Sequence, residues 1–168
     1  MKDHWIVGIL LTLLIPNLAQ GQSNARRESL RGLGGVEVLV EKIDPQAERF
    51  GLTQSQVQTD TELRLRKAGI RVLSEENTAK QGSPFLYVNI NTSEAKEKAI
   101  SGVFSYSIVL ELRQRVILER DTSIRVMGTT WTITSKGVVG QNKLPSLREI
   151  VADYVDEFIN DYLAVNQR

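Results

Sequence analysis

Residues able to do chemistry are thinly supplied in this chain of 168 residues: it has no cysteine, and His4 is its one histidine. His4 lies in a stretch that reads as a cleavable leader, so the mature chain is expected to hold neither imidazole nor thiol. A Ser-His-Asp or Cys-His nucleophile, a histidine-ligated zinc site and a thiolate centre each need one or the other. Carboxylates survive that exclusion, since glycoside hydrolysis needs only two facing Asp or Glu. Asp153, Glu157 and Asp161 stand at i, i+4 spacing, which also raises a calcium reading, but a helical i, i+4 row lacks the glycine-pinned loop of an EF-hand. The same spacing puts them, with Asp156, on the polar side of an amphipathic helix, where charge ordinarily serves solvation. Gly32-Leu33-Gly34-Gly35 precedes a strand instead of joining a strand to a helix, so it reads as a linker and not a phosphate-binding loop. No catalytic residue, cofactor or metal ligand is expected, and the chain is not expected to be an enzyme.

Three residues remain as candidate partner-binding groups: Arg113, Arg115 and Trp131. Arg113 and Arg115, two apart on one strand, point to one side and suit an acidic partner or a lipid headgroup; the plainer reading is a solvated sheet face shared with Glu111 and Glu119. Trp131 amid threonines suits an aromatic recognition surface, although a tryptophan sharing a strand face with Ile133 more often packs under a helix. Lys plus Arg total 21 against 20 Asp plus Glu, without the positive surplus that nucleic-acid binding exploits, so no nucleic acid is expected. Asn91-Thr92-Ser93 fits a glycosylation sequon, a triplet common by chance.

The elements that position these residues begin after the leader. Lys2, the apolar run Ile6 to Ile15, the break at Pro16-Asn17 and the small residues of Ala19-Gln20-Gly21 divide the chain into a signal peptide over 1–21, cleaved after Gly21, and an exported remainder in the periplasm or outside the cell. The apolar run is about ten residues, half of what a spanning helix needs, and no later run approaches that length, so no membrane span is expected after cleavage. Residues 22–35, polar and glycine-rich, read as a flexible lead-in. Residues 36–168 read as a single α+β domain, with no disulfide to restrain its unfolded chain.

Within that domain Val36, Val38 and Val40 alternate with Glu37 and Glu41 as a strand, and Asp44-Pro45 opens a short helical turn. Thr53 with Gln56 forms a capping box for a helix to Ala68, its inner stripe Val57, Thr61, Leu65 and Ala68 and its stop Gly69. Ile70 and Val72 begin a second strand. Phe85 to Ile90, apolar on both sides, reads as a central strand covered on both faces. Residues 91–102 read as a loop or short exposed helix. Tyr106 to Leu118 is a long amphipathic strand, and 124–139 completes an antiparallel hairpin with Gly128 at a bulge or bend. Ser146 with Glu149 forms a second capping box, opening a helix with the stripe Ile150, Val151, Tyr154, Val155, Phe158, Ile159, Tyr162 and Leu163. The expectation is an α+β fold: a mixed or antiparallel sheet of four to five strands with two helices packed on one face.

That order, with the exported start and the long terminal helix, resembles small bacterial envelope domains: the lipopolysaccharide-assembly lipoprotein and the N-terminal domain of the Tol translocation protein. Absence of a cysteine after the leader departs from the lipoprotein pattern. Leu63-Arg64-Leu65-Arg66-Lys67-Ala68-Gly69-Ile70 and Phe158-Ile159-Asn160-Asp161-Tyr162-Leu163 are similar in phrasing to uncharacterised exported bacterial proteins. That likeness implies no activity; the first expectation is a non-enzymatic periplasmic or secreted module that binds an envelope protein or lipid, with strand addition at an open sheet edge as one mode. A carrier of a small apolar ligand and a carboxylate-dependent hydrolase are the alternatives.

Overall fold

Helix and strand boundaries follow from local chemistry. In the computed structural model, which describes residues 24–74 and 83–166, Asp44 caps a one-turn helix α1 (Pro45–Arg49) by accepting from the Gln46 amide at 2.8 Å. Thr53 caps α2 (Gln54–Lys67) by accepting from the Gln56 amide, and Gly69 ends the run at φ 77°. Val57, Thr61 and Leu65 are its buried stripe, as their i, i+4 spacing requires. The terminal helix α3 (Leu147–Val165) buries Leu147, Val151, Val155, Phe158 and Ile159. Its expected capping box does not form: the Ser146 hydroxyl donates instead to the Lys143 carbonyl at 2.7 Å, inside a 3-10 turn over Gln141–Ser146.

Four strands, β1 (Glu37–Val40), β2 (Phe85–Glu94), β3 (Val103–Leu118) and β4 (Asp121–Gly140), form one mixed sheet in the order β1-β2-β3-β4. β1 pairs parallel with β2, and the other two pairings are antiparallel. One sheet face carries Val38, Val40, Leu86, Val88, Ile90, Ile108, Leu110, Leu112 and Trp131, and the buried residues of α2 and α3 join them in a single core. The helices therefore share that face, as the single apolar stripe on each demands.

Four expectations change in detail. The strand expected at Ile70 and Val72 shrinks to one parallel bridge, Val36 to Val72, because Ile70 turns into the core. β2 is central but not covered on both faces, since Phe85, Tyr87 and Asn89 stay half-exposed on the outer side. The expected irregularity near Gly128 appears where β3 and β4 slip register: Leu112 faces Trp131, Arg113 faces Thr129, and Thr130 is the extra residue. Finally, the described part of the lead-in is docked. Residues 24–28 are helical, Leu30 and Leu33 are buried, and Tyr162 donates to the Leu33 carbonyl at 3.0 Å.

The two sheet edges are treated differently. Beyond β1 the Val36–Val72 bridge extends the sheet, and α2 supplies side-chain donors to β1's outward carbonyls. Gln54 Nε2 donates to Val40 at 2.7 Å and Gln58 Nε2 to Val38 at 2.9 Å. Each bond satisfies a strand carbonyl at an edge that has no further strand among the described residues. Gln58→Ala and Gln54→Ala should each cost about 1 kcal/mol, read as a lower denaturant midpoint at unchanged slope. An unchanged midpoint in both variants would show that water replaces the amides without loss.

Candidate functional site

The sequence-predicted groups do not converge. Arg113 lies on the outer face of β3, its guanidinium 4.0 Å above the Tyr87 ring and its Nε donating to Glu111 at 2.8 Å. Arg115 follows two residues on, exposed, opposite Met127 of β4. Trp131 is fully buried on the opposite face, 5.3 Å and nearly perpendicular to Phe158. It is part of the core and offers no recognition surface.

The acidic row on α3 divides as well. Asp153 is exposed beside α2, Glu157 pairs with Arg26 at 2.8 Å, and Asp161, expected in solvent, is only 5% exposed. The Trp131 indole donates to Asp161 Oδ2 at 2.9 Å, Arg27 Nε to Oδ1 at 2.8 Å, and Arg26 to Oδ2 at 3.2 Å. Arg26 also lies 5.0 Å from the centre of the Trp131 ring. Burial pushes the Asp161 carboxyl upward, but the hydrogen bonds from Trp131 and Arg27 and the charges of Arg27 and Arg26 outweigh it, leaving it below the usual carboxylate range. It is the one buried carboxylate among the described residues, and its oxygens are taken up in holding residues 26 and 27 against the core. Its spacing was the available signal: Asp161 falls three after Phe158 and seven after Tyr154, inside the apolar stripe.

A polar chain crosses the outer sheet face. Asn91 donates to Asn89, Asn89 to the Tyr87 hydroxyl, and Tyr87 to Glu41 at 2.6 Å. The Asn89 amide draws the Tyr87 phenol down, but the hydrogen bond to Glu41, burial and the Glu41 charge together leave it raised. The groove between α2 and α3, about 860 Å³, is open and lined by charged groups including Asp60, Arg64, Lys67 and Arg148. Arg148 Nε closes on Asp60 at 2.8 Å, and Arg64 on Asp156 at 2.7 Å. A charged, open groove does not provide the enclosed apolar space that a carrier of a small apolar ligand needs.

What stands out is β4, which sequence reasoning could not place because an edge is a property of strand order. Its carbonyls at Thr130 and Thr132 point away from β3, where Ser29 Oγ donates to the first at 3.1 Å and Arg26 to the second at 3.0 Å. Strand alternation turns the N–H and C=O of Thr134, Lys136 and Val138 the same way. Among the described residues nothing pairs with that row.

Among the described residues these features define a two-layer α+β protein: a mixed sheet with two long helices on one face, one edge closed and the other open. No protein-family model matches the chain, and no curated protein matches it. Among solved structures it is similar to a minor lipoprotein from Acinetobacter baumannii, at 10% identity over 80% of this chain and 93% of that one, with a TM-score of 0.40. It is also similar to the rare lipoprotein B from Shewanella oneidensis, at 9% identity over 76% and 93%, with a TM-score of 0.36. Both likenesses are loose. Neither name mentions lipopolysaccharide assembly or Tol translocation, so that resemblance stays one of element order. Among the described residues no helix is long and apolar enough to cross a membrane.

Proposed function

We propose that the protein is a non-enzymatic module of the periplasm or cell exterior that binds another envelope component by strand addition at β4. The observation that carries this reading is the unequal treatment of the edges. β1 is closed by a bridge and by two glutamine amides, whereas among the described residues β4 is capped only at Thr130 and Thr132 and stays open toward Gly140. An open edge offers backbone hydrogen bonds in a fixed row, which is the means by which extended segments add to sheets. The leader-like start supports an exported setting, and the absence of histidine and cysteine beyond it favours binding over reaction.

Photocrosslinking in the native envelope tests the reading. A photoreactive residue at Val138 should yield one discrete adduct, while the same residue at Leu39, on the closed edge strand, should yield none. Equal labelling at both positions, or no adduct at Val138, would sink strand addition.

A further inference from the structure

The two faces of the open edge differ, and the difference describes the strand that fits it. On the outer face Thr134, Lys136 and Val138 are exposed, Val138 at 74% the most exposed of the large apolar residues described. Toward the helices Ile133 and Val139 are half-buried against the core, with the small Ser135 and Gly137 between them. Lys136 makes no ion pair among the described residues. Directly opposed side chains on neighbouring strands stand close enough for charge sign and shape to matter.

Resting on the strand-addition reading, we infer that β4 from Ile133 to Gly140 takes an extended segment of another protein with three marks. Apolar residues alternate toward the helices, a carboxylate stands opposite Lys136, and a branched apolar residue stands opposite Val138. The apolar side prolongs the core layer past Ile133 and Val139. The carboxylate supplies the charge that Lys136 lacks. A second copy of the chain fits less well, because antiparallel self-pairing about this stretch sets the two Lys136 ammonium groups opposite or diagonal to each other, and lysine on an edge opposes such pairing.

Three synthetic peptides test this on the full chain: an alternating valine peptide with glutamate at the position meeting Lys136, the same peptide with lysine there, and the glutamate peptide N-methylated on its sheet-pairing amides. The glutamate peptide should bind about fivefold more tightly than the lysine peptide at low salt, a preference that fades near ~1 M salt. Amide exchange should slow at Thr134, Lys136 and Val138, and the N-methylated peptide should not bind. Lys136→Glu should reverse the charge preference. Equal affinity for the two charged peptides, undiminished binding after N-methylation, or self-association at this edge without peptide uptake would each overturn the inference. If the Val138 crosslink to its envelope partner is unchanged by Lys136→Glu, strand addition stands and the carboxylate is refuted; loss of the adduct from the native sequence removes both.

Discussion

Asp161→Ala is expected to destabilise the protein by about 4 kcal/mol, because it leaves the buried Trp131 indole without its acceptor and Arg27 without its counter-charge, and leaves Arg26 with Glu157 alone. For a domain of this size that corresponds to a fall of roughly 12 °C in thermal midpoint. The loss should begin locally. Arg26 and Arg27 are held to the core chiefly through Asp161 and Glu157, so tryptic cleavage after Arg27 should accelerate at temperatures where the rest of the chain is still folded. Asp161→Asn, which keeps an acceptor for the indole, should cost less and separates the charge from the hydrogen bond. The sign of the pH dependence follows from the depressed carboxyl of the folded state. The unfolded chain takes up the proton first, near an ordinary aspartate value of about 3.9, so the contribution is complete above that pH and declines as pH falls through the lower folded value. Wild type and Asp161→Asn should therefore differ by a constant amount above about pH 5 and converge below about pH 4. A difference that stays constant down to pH 2, or cleavage after Arg27 that tracks only global unfolding, would contradict the latch.

What could be read from sequence is what local chemistry decides. The Thr53 cap, the Gly69 stop and the repeating stripe of α3 each depend on residues within a turn or two, and each stands where expected, except that Leu163 at the end of the stripe is exposed. The alternation of β3 likewise turned Ile108, Leu110 and Leu112 inward. Most of the readings that changed depend on distant partners; the α3 capping box is the exception, lost to the bond from Ser146 to the Lys143 carbonyl three residues back. Asp161 looked like a solvent carboxylate because polar residues near it are exposed, and only the arrival of Trp131 and Arg27 from far along the chain makes its burial tolerable. Arg113 and Trp131, eighteen residues apart, fall on opposite faces, a separation that a one-residue bulge on β4 helps to set. The open edge was foreseeable as a possibility, but which strand owns it follows from the order β1-β2-β3-β4.

The glycine-rich lead-in gives the second large effect. If residues 32–35 were only a flexible linker, alanine at any of its glycines should be neutral or slightly stabilising, since it narrows the unfolded ensemble. The structure predicts a graded series instead. A β-carbon at Gly34 meets nothing within 4 Å, so Gly34→Ala should lie within about 0.5 kcal/mol of wild type. Gly32 has φ 74° in open space, so Gly32→Ala should cost about 1 kcal/mol for the left-handed backbone alone. At Gly35, φ is 150° and a β-carbon would stand 2.6 Å from the Arg71 carbonyl oxygen. That oxygen cannot swing aside, because it accepts from the Val36 amide at 2.9 Å in the link between the first residues of the sheet and the stretch after α2. Gly35→Ala should therefore cost about 3 kcal/mol, from backbone strain and overpacking together. Denaturant midpoints for the three variants check the order. Three equal, near-neutral values would return this stretch to the role of a linker, whereas a selective collapse at Gly35 identifies the close approach of two backbones as the point where the N-terminal segment is fastened to the sheet.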